Sequence, residues 1–168
     1  MENVYFKGSV CHTNGSLPRV GDKAPSFNLV SPKLTEVSSS DFLGKRVVLN
    51  IFPSLDTSVC AMAVRQFTKR AARLDNTVVI CVSMDLPFAA ARFCSAEGIE
   101  NVLVASAFRS PLFAQEYGVQ LIDGVLAGLL TRAIVVYDET RQVIYTQLVN
   151  EITDEPDYES ALNVLDAT

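Results

Sequence analysis

"RVVLNIFPSLDTSVCAMAVRQFTKRAARL", Arg46 to Leu74, changes its hydrophobic pattern once, at Pro53. Before the proline the apolar residues run without interruption, as in a strand buried on both faces. After Val59 the apolar positions Cys60, Val64, Phe67, Ala71 and Leu74 follow helical spacing, while Arg65, Lys69 and Arg73 face elsewhere. Asp56, Thr57 and Ser58 are all good N-cap types, so Cys60 falls in the first helical turn whichever of them caps. That turn has unpaired backbone N–H groups and the positive end of the helix dipole, both of which stabilise a thiolate. The carboxyl end of a central strand is also where open α/β sheets bind ligands.

The rest of the chain repeats the alternation. "TVVICVSM" (Thr77 to Met84) reads as a second buried strand, with Asp85 and Pro87 as a start signal for a helix ending at Gly98. "NVLVAS" gives a third strand, and Ser110-Pro111 is expected to cap a helix ending at Gly118. A glycine-containing loop leads to "TRAIVVYD", which the turn "DETRQ" joins to "VIYTQLV" as a hairpin. The last helix carries Tyr158, Ala161, Leu162 and Leu165 on one face. Upstream, "NVYFKGSVCHT" reads as a hairpin around Lys7-Gly8, and "PSFNLV" and "TEVSS" as weaker strands. The order predicts an α/β fold, thioredoxin-like, with a central mixed β-sheet flanked by helices and an N-terminal hairpin at about residues 3–14. A doubly wound α/β fold is the competing architecture. One domain over residues 1–168 accounts for the length.

Bulk properties exclude several classes of function. A net charge of −5 and a pI near 4.8 provide no basic field for nucleic acid or an anionic membrane. No apolar run is long enough to cross a bilayer, and no basic segment followed by an apolar one suggests a secretory signal. Four cysteines, Cys11, Cys60, Cys81 and Cys94, lack the density of a disulfide scaffold, so the expectation is a cytoplasmic protein. His12, the only histidine, adjoins Cys11, but adjacent residues rarely ligate one metal and no C-x-x-C accompanies them. No Walker or dinucleotide-binding glycine pattern occurs.

Magnitudes set a condition on Cys60. Keeping a thiol mostly ionised at pH 7 takes about 2.7 kcal/mol, and a helix terminus typically supplies ~0.3–1 kcal/mol. At best a terminus supplies ~2 kcal/mol, so a cationic side chain is expected to help. Lys45, Arg46, Arg65, Arg109 and Arg132 are all candidates, and spacing does not choose among them.

Pro53, Thr57 and Cys60 form the pattern P-x-x-x-T-x-x-C between a buried strand and a helix, which resembles the peroxiredoxins. With "DLPFAAARFCSAEG" (Asp85 to Gly98), "TRAIVVYDE" and "ITDEPDYESAL", the chain is similar nearly end to end to the thiol peroxidase subfamily of bacterial atypical two-cysteine peroxiredoxins. The resemblance implies a peroxidase reducing hydrogen peroxide or organic hydroperoxides without metal, haem or flavin. It implies Cys60 as the peroxidatic nucleophile and Cys94 as the resolving thiol of an intrachain disulfide. Thr57 would hydrogen-bond thiolate and peroxide, Pro53 would shield the site, and Arg132 would supply the cation. Thioredoxin as reductant and a homodimer are implied in the same way. A second role for the same fold is a non-catalytic redox sensor or binding module. On the helix after Asp85, the expected core positions are Ala89, Phe93 and Ala96, with Cys94 on a flank. Cys81, inside a buried strand, is assigned to the core. Glu151, Asp154, Glu155 and Asp157 are read as a solvated, helix-starting cluster. The loop Gln120 to Leu130 and Phe88 are candidates for lining an apolar approach to the site.

Overall fold

The computed structural model describes residues 1–166. A hairpin of β1 (Asn3–Phe6) and β2 (Ser9–His12) forms a separate two-stranded sheet. The main sheet has seven strands: β3 (Asn28–Val30), β4 (Glu36–Ser38), β5 (Arg46–Ile51), β6 (Thr77–Ser83), β7 (Leu103–Ser106), β8 (Ala133–Tyr137) and β9 (Val143–Leu148). Their spatial order is β4-β3-β7-β6-β5-β8-β9. The three central strands β5, β6 and β7 are parallel, and both flanks are antiparallel. This is the expected mixed sheet, with the two weak upstream strands closing one side and the late hairpin the other.

Strand alternation divides the core. Val47, Leu49 and Ile51 of β5 and Ala133, Val135 and Tyr137 of β8 face one cluster with Phe113, Ala114 and Tyr117 of α3 (Pro111–Tyr117). Val48 of β5 and Ile134 and Val136 of β8 face the other. There they meet α1 (Ser58–Ala71), α2 (Pro87–Glu97) and α4 (Tyr158–Asp166). Both faces are covered, which is why these strands read as unbroken apolar runs. The four residues assigned to one face of α4 are all buried, and Tyr158 packs edge-on against Phe67 of α1, with centroids 5.4 Å apart.

Three local expectations are corrected. On α2 the buried residues are Pro87 and Ala90, with Phe93 and Cys94 half-buried, whereas Ala96 is exposed. The run Ala89–Ala91 gives no contrast from which to set the helix phase. Asp85 does not cap α2; its N-cap is Leu86, without a side-chain bond. Ser110 makes no capping bond either, and its hydroxyl donates instead to the Asn28 carbonyl. In both helices proline supplies the start, since it lacks an N–H to satisfy.

Candidate active site

Cys60 is the third residue of α1, across the loop that follows β5. Thr57 caps the helix from an extended conformation, φ −93° and ψ 145°. Its hydroxyl accepts from the Cys60 backbone N–H at 3.2 Å and donates to the Ser54 carbonyl at 3.2 Å. Asp85, at the end of β6, holds the same loop from the other side. Its carboxylate accepts from Ser54 Oγ at 2.9 Å, from Leu55 N–H at 2.7 Å and from Ser83 Oγ at 2.6 Å. The side chain read as a helix start therefore ties the cysteine loop to the neighbouring parallel strand.

Antiparallel pairing of β5 with β8 brings the end of one beside the start of the other, with Ile51 opposite Ala133. Arg132 immediately precedes β8 and shares the parity of Ile134 and Val136, whose side chains face α1. Its guanidinium meets the cysteine there. Nη2 donates to Cys60 Sγ at 3.2 Å, and Nε donates to the Ile152 carbonyl at 2.8 Å. Arg132 is 2% exposed, and Nη1 is buried without a hydrogen-bond partner. Among the described residues no carboxylate lies within ion-pair distance of it. Of the five candidate cations, Arg132 is the one beside Cys60; Arg65 pairs with Glu97 on α2.

Beside Arg132 and the first turn of α1 lies a pocket of about 270 Å³. Pro53, Thr57, Ser58, Val59 and Arg132 form its inner side. Leu126 and Leu129 come from the long loop, as anticipated, and Phe6, Lys7, Ile152 and Thr153 complete the walls. Cys60 itself is fully buried, and Pro53 is buried beside it. Phe88 does not line this pocket and stands 67% exposed on the first turn of α2. The hairpin turn at Phe6-Lys7 and the segment Ile152-Thr153 escape a reading of local pattern. The sequence signal for the turn was Lys7-Gly8, and both residues have positive φ, 51° and 84°. Glu151 fixes it by accepting from the N–H groups of Lys7 at 3.1 Å and Gly8 at 2.9 Å. Glu151 is thus a clamp on the pocket wall and not part of a helix-starting cluster. Asp157 does serve a helix start, accepting from Ser160 N–H at 3.0 Å.

All four cysteines are free thiols. Cys94, on α2, packs half-buried against the cluster that contains Cys60, and burial pushes its thiol above the ordinary range. Cys81 is wholly enclosed in β6, where burial raises it to about 12. It stays protonated and inert at neutral pH. Cys11 packs with Val4, Leu121 and Ile152 under the hairpin; burial, then Asp123 and Glu151, raise it too. His12 Nδ1 sits 2.6 Å from Asp123 Oδ2 in a surface pair. Among the described residues no cluster of His, Cys, Asp and Glu could hold a metal, and no helix is long and apolar enough to cross a membrane.

A buried sulfur in the first turn of a helix, beside an arginine that has a spare donor and lines an apolar pocket, belongs to a definable class. The Redoxin family profile matches residues 19–162. A thiol peroxidase of Corynebacterium glutamicum is 56% identical over 165 residues, covering 98% of this chain and 99% of that one. Among solved structures, a peroxiredoxin-like protein from Aquifex aeolicus superposes with a TM-score of 0.94 at 38% identity, covering 99% and 97% of the two chains. A thiol peroxidase from Chromobacterium violaceum shares the fold, with a TM-score of 0.89 at 24% identity over 98% and 95% of the chains. The chain belongs to the Redoxin family and, within it, to the peroxiredoxin-type thiol peroxidases.

Proposed function

We propose that this thiol peroxidase reduces hydrogen peroxide and organic hydroperoxides with Cys60 as nucleophile and Cys94 as resolving thiol. The observation that carries this reading is the buried Arg132, which donates to Cys60 Sγ at 3.2 Å while Nη1 has no partner. A buried cation without a carboxylate is costly unless an anion shares the site, and a thiolate is that anion. The unpartnered Nη1 donor then serves the peroxide. Attack forms a sulfur–oxygen bond and breaks the O–O bond, and charge develops on the departing oxygen, where a fixed donor lowers the barrier. That oxygen leaves as alcohol or water after taking a proton from solvent. Arginine suits the role because it stays charged and presents its donors in a fixed plane. Pro53 packs against the loop and keeps water from the sulfur. Thr57 holds the Cys60 backbone now, and its hydroxyl becomes a donor to sulfur or peroxide on giving up the Ser54 carbonyl.

Cys60 is left as a sulfenic acid. The Cys94 sulfur attacks it; the S–S bond forms, the S–O bond breaks, and the hydroxyl leaves as water with the Cys94 thiol proton. A dithiol reductant of the thioredoxin type returns both cysteines to thiols and is itself oxidised to a disulfide. Every step balances with thiols alone. The working form is proposed to be a cytoplasmic homodimer. The test is turnover with thioredoxin, its reductase and a series of peroxides. Wild type turns over with NADPH consumption, and Cys60→Ser does not. Turnover retained in Cys60→Ser overturns the assignment.

A further inference from the structure

The Cys60–Cys94 disulfide demands Cα atoms within about 7 Å and correctly directed Cβ atoms. The two cysteines are free thiols on separate helices, and the construction of those helices is unequal. α1 buries Cys60, Ala61, Ala63, Val64 and Phe67 and is capped by Thr57. α2 buries only Pro87 and Ala90, has no side-chain cap bond and carries no acidic residue in its first turn. Helices with little buried surface open at low free-energy cost, so α2 is the easier of the two to open.

Two ion pairs on the solvent side bracket Cys94. Three residues after it, Glu97 receives both Nε and Nη2 of Arg65 on α1, at 3.0 and 2.7 Å. Two residues before it, Arg92 Nη2 lies 3.6 Å from Asp56 Oδ1, in the loop that leads into α1. The first is bidentate, the geometry in which a surface pair has most effect. Its polarity also suits the helix, because Arg65 offsets an acid placed at the unfavourable C-terminal end of α2. We propose that Arg65–Glu97 and Asp56–Arg92 form a latch that holds α2 on α1 in the reduced protein, and that releasing it limits closure of the disulfide. The latch rests on the assignment of Cys94 as resolving thiol. Arg65 and Glu97 are thus positioning residues for resolution and do not touch the peroxide.

All four latch side chains are substantially exposed, with Glu97 the least so at 32%. Salt therefore screens them, whereas it leaves the buried Cys60–Arg132 pair and a neutral peroxide largely unaffected. The experiment mixes reduced protein with one equivalent of hydrogen peroxide, quenches with acid and follows sulfenic and disulfide forms by intact mass. In wild type, raising sodium chloride to about 0.5 M speeds disulfide closure about two- to fivefold and leaves sulfenic acid formation unchanged. Arg65→Gln closes faster at low salt by a similar factor and loses most of the salt response. The charge exchange Arg65→Glu with Glu97→Arg restores the slower, salt-sensitive closure, a rescue that a merely structural defect would not show. A closure rate indifferent to salt in wild type, or slower closure in Arg65→Gln, overturns the latch and leaves the reading of Cys94 intact. A wild type that never forms the Cys60–Cys94 disulfide overturns both.

Discussion

Arg132 is the residue at which burial and charge conflict most directly, and removing its charge separates its roles. Arg132→Met should slow the peroxide step about 100-fold, since one fixed donor to a developing oxyanion is commonly worth that much. Stopped-flow rates measure this, and a rate within twofold of wild type would remove Arg132 from the mechanism. The cysteines divide more sharply. Cys60→Ser should be inactive, whereas Cys81→Ala and Cys11→Ser should retain most turnover in the coupled assay. The place of Cys60 in the first turn of a helix was legible from its neighbours alone, because cap, proline and helix lie within eight residues of it, whereas its proposed role came from the family resemblance. Arg132 was one of five candidates, since its contact spans 72 positions of chain and is made by strand pairing. Only the family resemblance singled it out from the sequence.

At the scale of elements, the loop between β5 and α1 is held by two side chains of different kinds. Thr57→Ala should cost about 1 kcal/mol as a lost N-cap, and Thr57→Ser should recover most of it. Asp85→Ala removes the acceptor for the buried Ser83 hydroxyl and for the Leu55 N–H. It should cost about 1–3 kcal/mol by denaturant unfolding and slow the peroxide step, because the loop that seats Thr57 is released. Asp85 was misassigned from sequence because aspartate before proline is a common helix start, and only the parallel neighbour strand reveals its partners. The α2 face was misread for a different reason: an alanine-rich helix offers no hydrophobic contrast. Cys94→Ser should react once with peroxide and stall as sulfenic acid, open to over-oxidation, which mass spectrometry resolves. Comparing reduced with oxidised wild type, hydrogen exchange should show protection lost mainly over Phe88–Gly98. Equal protection in the two states would refute the opening of α2.

At the scale of the whole molecule, the central strands were legible because both their faces are covered and their apolar runs are unbroken. The pocket was not, because its walls come from both ends of the chain. The N–H groups of Lys7 and Gly8 reach Glu151 across 144 and 143 positions. Desolvation pushes the Glu151 carboxyl up, but the backbone donors Gly8, Thr153 and Lys7 outweigh it and hold the group below its usual range. A depressed folded-state pKa means the contribution is present above the ordinary value near 4.3 and is lost as pH falls through the lower folded one. The Lys7 and Gly8 amides should therefore lose exchange protection only below the ordinary range of a glutamate carboxyl. Glu151→Ala should lack that protection at neutral pH.

The same long-range clamp bears on the order in which a ribosome delivers the parts. Phe6 and Lys7 emerge well before the residues that seat them, Ile152 and Glu151. Synthesis proceeds from the N-terminus at about 5–20 residues per second, so Cys60 spends seconds in a nascent chain before Arg132 exists to pair with it. Through that interval it lacks the Arg132 donor. The surroundings of Cys60 are thus assembled only after Arg132 and Ile152, which lies behind it, have both been made.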